Sequence, residues 1–153
     1  MSTPADERPT LSIDGVELAY EPGQTVIQVA KTAGIEIPHY CYHPGLSIAG
    51  NCRICMVEVE GWPRPQIACK LAPSPGMVVK TGSDLAKEAR RSTMEFLLVN
   101  HPLDCPICDQ AGECHLQDLS YQLGQGQSRS STPKTQGAKN VPFGGKIVYD
   151  GER

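Results

Sequence analysis

No run of about 18 apolar residues occurs anywhere in the chain, so nothing in it has the length to cross a bilayer as a helix. The N-terminal stretch MSTPADERPT lacks an apolar core, which argues against a secretory signal, and its acidic residues argue against a transit peptide. Aromatic residues are few, with two Phe and one Trp, so the apolar core is expected to be modest and bound metal to contribute to folding. Positive charge is not in excess. Lys+Arg 14 against Asp+Glu 17 leaves a net charge of −3, which argues against a nucleic-acid binder. Cysteines number seven, an odd count that excludes a complete set of internal disulfides. Without an export signal a reducing compartment is the default, and there clustered cysteines are more often ligands than bridges.

What the chain does have is two groups of soft donors. The first is Cys41, Cys52, Cys55 and Cys69, spaced C-x10-C-x2-C-x13-C. The second is His101, Cys105, Cys108 and Cys114, in the stretch HPLDCPICDQAGEC. Together they use every cysteine. Thiolates and imidazole select zinc or iron–sulfur clusters over magnesium or calcium. In the first group Cys52 and Cys55 can hold one ion on a tight loop, with Gly50 allowing close backbone approach and loop amides donating to sulfur. Four-cysteine zinc sites usually carry two C-x2-C knuckles and this group has one, so a [2Fe–2S] rhomb is favoured over structural zinc. Its first gap also departs from the C-x4-C of plant-type ferredoxins.

In the second group three cysteines fall one short of the usual four for [4Fe–4S]. His101 either completes the set or merely caps the preceding helix through its last carbonyls. As a ligand, a neutral imidazole in place of a thiolate removes one negative charge and favours the reduced form. His115, next to Cys114, is a rival ligand but is expected on another face. His39 and His43 read as exposed loop residues. Tyr40 and Tyr42 either shield the first group or simply pack, and Arg53 either offsets charge there or faces solvent.

The scaffold reads as α+β. Residues 1–9 form a disordered leader, and strands are expected at 10–13 and 16–20 around Asp14-Gly15, a type I′ hairpin signal. Thr25 with Gln28 makes a capping box for a helix to about Ala33, with Val26, Val29, Ala30 and Ala33 on one face. A hairpin followed by a crossing helix is how a β-grasp, ferredoxin-like domain begins. Further strands are expected at 56–60, 66–71 and 77–80, closing a domain over residues 10–81. Ser83 then caps a helix to about Asn100 with a buried stripe of Leu85, Ala89, Thr93, Phe96 and Leu97. A small helical segment over 82–124 carries the second group, including a short helix from about Glu113 to Leu123. Residues 125–153 form a polar, irregular tail, of which 125–145 is a linker or a strip lying on something else.

The stretches PHYCYHPGLSIAGNCRICMVEV and MEFLLVNHPLDCPICDQAGECHLQDLS resemble the N-terminal region of the large iron–sulfur subunit of NADH:quinone oxidoreductase, respiratory complex I. The resemblance covers about residues 10–124 and preserves ligand order and spacing. It implies one [2Fe–2S] cluster on Cys41, Cys52, Cys55 and Cys69 and one [4Fe–4S] cluster on His101, Cys105, Cys108 and Cys114. It further implies a place in a peripheral arm, beside a flavin- and NADH-binding partner subunit, relaying electrons toward quinone. The arm would lie on the cytoplasmic face of a bacterial inner membrane, attached only through the complex. Members of the family continue with a further cluster region and a molybdopterin-enzyme-like domain, so this chain is expected to be a fragment, a short gene product or part of a split subunit. No G-x-G-x-x-G follows a strand here, so NADH must bind elsewhere and the chain holds no complete active site. Two alternatives stand beside this reading: the diaphorase arm of an NAD-linked hydrogenase or formate dehydrogenase, and a zinc-stabilised interaction module without redox function.

Overall fold

The computed structural model describes residues 8–124 and 126–150. Most of the expected leader therefore lies outside the described residues, as do Gln125 and 151–153 of the expected tail. Arg8 and Pro9, at the leader's end, are described. Pro9 accepts a hydrogen bond from the Tyr20 amide at 3.1 Å, which ties the start of the chain to the first hairpin. One compact unit ends at Thr93 and a second begins at Met94.

The first unit is α+β, as expected. Strand β1 (Thr10–Ile13) pairs antiparallel with β2 (Val16–Ala19) around Asp14 and Gly15, whose φ values of 49° and 85° are the two left-handed positions a type I′ turn needs. Helix α1 (Val26–Thr32) opens where the Gln28 side chain reaches back to accept the Thr25 amide at 2.8 Å. Strands β3 (Met56–Val59), β4 (Gln66–Ile67) and β5 (Val78–Lys80) complete a five-stranded sheet in the order β2-β1-β5-β3-β4. β1 and β5 are parallel and the other pairs antiparallel, so α1 supplies the crossover that a parallel pair requires. Val26, Val29 and Ala30 of α1 are buried with Leu11, Ile13, Val57 and Val79 of the sheet. Each buried Val, Leu or Ile among them stabilises the fold by about 1.5–3 kcal/mol through removal from water.

Two expectations fail here. β4 stops at Ile67 instead of continuing to residue 71. The backbone beyond it serves the helix: Ala68 and Leu71 carbonyls accept the Ile27 and Val26 amides at 3.1 and 2.9 Å, and these are amides that the first turn of a helix leaves unpaired. The second failure concerns α2 (Asp84–Leu98), which Ser83 caps by accepting the Ala86 amide at 3.2 Å. Its buried side chains are Ala86, Arg90 and Met94, whereas Leu85 is 42% and Phe96 80% exposed. The i, i+4, i+8 row is a proper helical stripe. A count of apolar residues passes over it because its middle member is an arginine.

The second unit holds the end of α2, a single 3-10 turn (Cys105–Ile107), helix α3 (His115–Gln122) and a two-stranded ribbon of β6 (Val141–Pro142) and β7 (Val148–Tyr149). The polar strip ahead of the ribbon does lie on something. Arg129 pairs with Glu95 through Nε at 2.8 Å, and the Lys134 ammonium donates to the Leu98 and Val99 carbonyls at 2.6 and 3.1 Å. A cation on the last carbonyls of α2 also complements the negative end of the helix.

The revised stripe is open to test. Met94→Ala is expected to cost about 2–5 kcal/mol of stability. Phe96→Ala, on the exposed side, should stay within about 0.5 kcal/mol. Denaturant titration of the two variants that shows the reverse order restores the Phe96-facing stripe.

Candidate functional site

The first four cysteines meet in two pairs. The loop that carries Cys41 returns on itself at Cys52, where the Cys41 amide donates to Cys52 Sγ and the Cys52 amide to Cys41 Sγ, each at 3.4 Å. Gly50 makes that return possible. Its φ is 62°, and a Cβ there would meet Ile67 Cδ1 and Lys70 Cδ, both at 3.3 Å. The second pair is set by strand register. Met56 is opposite Ile67, and the Ala68 amide donates to the Cys55 carbonyl at 3.0 Å, which brings Cys69 alongside Cys55. Their thiols lie close enough to influence each other, and both residues are 1% exposed. Each cysteine of the C-x2-C motif thus meets a thiol from another segment, not its neighbour in the motif. Cys55 heads β3 inside the core, while Cys52 stays in the loop.

The electrostatics follow from burial and amides. Burial opposes charge on Cys41, but the amides of Cys52 and Asn51 outweigh it, and the thiol lies below its ordinary value. Burial pushes Cys52 up in spite of amides from Ile54, Cys41 and Tyr40. Burial pushes Cys55 from 9.0 up to about 12, with its thiol partner Cys69 adding to the rise. Cys69 is raised first by burial, and the nearby Cys41 and Cys52 add to this. For Cys55 the rise corresponds to about 4 kcal/mol in favour of the protonated thiol. Metal–thiolate binding, at about 10 kcal/mol or more, would exceed that preference.

Around these thiols Tyr42 packs on the core while Tyr40 is 44% exposed. His39 is half-buried, with Nδ1 2.8 Å from the Ile37 carbonyl and its ring edge-on to Tyr42, whereas His43 is exposed. Arg53 faces solvent with φ 65°. The buried arginine of this unit is Arg90, which sequence reasoning missed.

In the second unit His101, Cys105 and Cys114 line a cavity of about 510 Å³ together with Leu98, Leu116 and Lys134. Cys108 does not line it; it closes the 3-10 turn, its amide bonded to the Cys105 carbonyl at 3.1 Å. The carbonyl end of α2 is met by the His101 backbone amide and by Lys134, not by the His101 ring. His115 is exposed at the start of α3. Lys134 was invisible in the sequence, lying in a polar stretch with no periodicity to mark it.

Residues 6–84 match the family described as 2Fe-2S iron-sulfur cluster binding domain, and residues 90–129 match the NADH-ubiquinone oxidoreductase-G iron-sulfur binding region. The chain belongs to the first family and carries the second region after it. It resembles the N-terminal region of the NADH-quinone oxidoreductase subunit designated G. Over 119 residues it is 54% identical to that subunit of Rickettsia conorii, covering 78% of this chain and 18% of the relative. The 78 kDa subunit of mitochondrial NADH-ubiquinone oxidoreductase from Neurospora crassa is 56% identical over 119 residues, covering 78% and 16%. The corresponding NADH-quinone oxidoreductase subunit of Streptomyces coelicolor is 46% identical over 154 residues, covering 99% and 18%. The chain thus spans less than a fifth of the length of these relatives. Among solved structures, a chain of an NAD+-reducing [NiFe]-hydrogenase in the H2-reduced state superposes with TM-score 0.78 at 35% identity, covering 87% of this chain and 56% of that one.

The raised Cys55 thiol generates a pH prediction for metal-free protein. Below pH 9 both folded and unfolded chains hold the proton. Between about 9 and about 12 the unfolded chain releases it and the folded chain keeps it, so stability falls as pH rises through that window. Denaturant midpoints of metal-free protein should decline accordingly, and less steeply in Cys55→Val. Identical pH profiles for the two proteins contradict the assignment.

Proposed function

We propose that this chain is the N-terminal, electron-relaying part of an iron–sulfur subunit of an NADH:quinone oxidoreductase. In this reading Cys41, Cys52, Cys55 and Cys69 hold one [2Fe–2S] cluster, and His101, Cys105, Cys108 and Cys114 hold one [4Fe–4S] cluster. The observation that carries it is the pairing of the first four thiols. A rhomb with two irons takes two thiolates at each, and Cys41 with Cys52 and Cys55 with Cys69 form two such pairs. A structural zinc site would draw all four donors to one point, whereas these thiols meet in two pairs. In the second unit, three of the four donors line one cavity, and the α2 carbonyls are occupied by Lys134, which leaves capping a poor account of His101.

The chemistry such clusters supply when bound is one-electron transfer. The chain's own residues hold the sulfurs, donate amides to them and exclude water from the inner pair. NADH oxidation at flavin and quinone reduction belong to other parts of the assembly, consistent with the small share of the relatives' length spanned here. Among the described residues no helix is long and apolar enough to cross a membrane, so attachment to the cytoplasmic face of a bacterial inner membrane would come through the complex. A second reading, the diaphorase arm of an NAD-linked hydrogenase, is favoured by the structural likeness to the hydrogenase chain. Co-purifying subunits distinguish the two.

Anaerobically isolated protein is expected to be brown, with about six irons, matching labile sulfide and two reducible EPR signals. Colourless protein with stoichiometric zinc defeats the reading. His101→Ala should weaken or convert the second signal, and His101→Cys should keep it at a shifted potential. An unaltered redox titration of that signal in His101→Ala takes His101 out of the ligand set.

Iron removal should act unevenly. The first unit keeps a core of buried side chains, whereas the stretch 101–124 contributes only Leu116 and Leu119 to the buried apolar residues. Chelation is therefore expected to abolish hydrogen-exchange protection across residues 101–124 before it affects β1 or β5. Simultaneous loss in both contradicts this.

A further inference from the structure

Arg90 is 5% exposed, and its Nε and Nη2 atoms find no hydrogen-bond partner among the described residues. A buried guanidinium with atoms left unpartnered is costly, because an ion has been taken out of water. Its surroundings follow from strand register. β1 and β5 run parallel, with Ile13 opposite Val79, and β3 runs against them, with Glu58 opposite Lys80. The outgoing ends of β1 and β5 and the incoming end of β3 are therefore the same end of the sheet. Asp14 follows β1 there, Cys55 precedes β3 there, and β5 leads from there into α2. The Asp14 carboxylate is committed to the Thr81 amide at 2.7 Å and to the Thr81 hydroxyl. Arg90, two turns into α2, is buried in the field of both Cys55 and Asp14. Burial is the larger effect and works against its charge, while the Asp14 carboxylate, and Cys55 once it is a thiolate, work in its favour.

We propose that Arg90 is the buried counter-charge of the first iron–sulfur site, standing near Cys55 of the inner pair and favouring the reduced form of the cluster. The inference rests on the reading of Cys41, Cys52, Cys55 and Cys69 as cluster ligands. Two metal-bound thiolates at Cys55 and Cys69 create negative charge in the apolar core where the metal-free protein carries none. One-electron reduction adds a further negative charge at the same place. A fixed cation within that low-dielectric region stabilises the added charge more than any surface cation could, because water and salt do not screen it. Arg90 stays charged throughout, so it contributes a constant field. It is a positioning and tuning residue and touches no substrate. The exposed Arg53, although it lies between two of the cysteines, sits where solvent screens its charge.

The test is a redox titration of the complete chain loaded with iron and sulfide, following the [2Fe–2S] EPR signal. Arg90→Gln and Arg90→Met are expected to lower the midpoint by at least the equivalent of a tenfold change in the oxidised-to-reduced ratio, about 59 mV for one electron. Arg90→Lys should recover most of the shift, and high salt should not abolish it. Arg91→Gln is the control, since Arg91 is exposed and pairs with Glu88 at 3.2 Å; it removes the same formal charge from the next position and should leave the midpoint in place. Metal-free Arg90→Met provides a second readout. Replacing an unpartnered buried charge by an apolar side chain of similar length should leave its denaturation midpoint at or above that of the wild type. A [2Fe–2S] signal whose midpoint is the same in wild type, Arg90→Gln and Arg90→Met overturns the proposal, as does an equal shift in Arg91→Gln. Marked destabilisation of metal-free Arg90→Met also overturns it, because Arg90 would then be a structural residue. Absence of any [2Fe–2S] signal from wild type is a different failure, that of the ligand reading itself.

Discussion

Cys55 and Cys69 are core residues as well as the proposed inner donors, and this double membership is the constraint on which the rest of the first unit depends. Their sulfurs are enclosed with Val29, Val57 and Ala68, so what they bind decides what the core contains. A protonated thiol is a small hydrophobe, and burial, which pushes Cys55 up to about 12, favours that form. A metal-bound thiolate puts charge into the same space. The fold accommodates both because the outer pair, Cys41 and Cys52, sits in a loop where backbone amides already point at sulfur. One half of the site is built like a core and the other like an anion nest.

Much of this scaffold was legible in the sequence because local rules and tertiary needs agree there. Asp14-Gly15 asked for two left-handed positions and has them, and Thr25 with Gln28 asked for a helix start and has one. Where the reading failed, one group was serving two masters. The residues after Ile67 look β-prone, but their carbonyls are taken by the first amides of α1, so Cys69 lies on a turn instead of a strand. The C-x2-C spacing suggested neighbours on one ion, whereas the register of β3 with β4 gives Cys55 to Cys69. Neither fact can be read from spacing, since both depend on a partner segment brought in by the sheet.

The stripe of α2 shows the opposite kind of failure. Periodicity was present, but its hydrophobic labelling was broken by one arginine. Leu85 and Phe96 are apolar and exposed, and Arg90 is charged and buried. A buried cation is so unfavourable alone that apolar counting is right to discard it in most helices. The exception becomes intelligible only once the sheet has brought Asp14 and Cys55 to one end, which is tertiary information. In the second unit the polar strip carrying Arg129 and Lys134 has no periodicity at all, and its role is defined by the carboxylate and carbonyls it meets.

On the proposed ligand assignment the two sites would reach a similar electrostatic end by different means, and burial explains the difference. Around the second set of donors the cysteines are only partly enclosed and few apolar residues are buried, so a fixed charge placed nearby would be screened. The effective way to lower negative charge there is inside the ligand set itself, and an imidazole at His101 in place of a thiolate would do that. Cys55 and Cys69 are buried, and a buried cation on a neighbouring helix would act there with less screening than at the surface and without displacing a ligand. Four thiolates can then be kept, with Arg90 supplying from outside the set what His101 supplies from within. On this view the arginine in the α2 stripe and the histidine before Pro102 are two answers to one requirement, chosen by how much water each site admits.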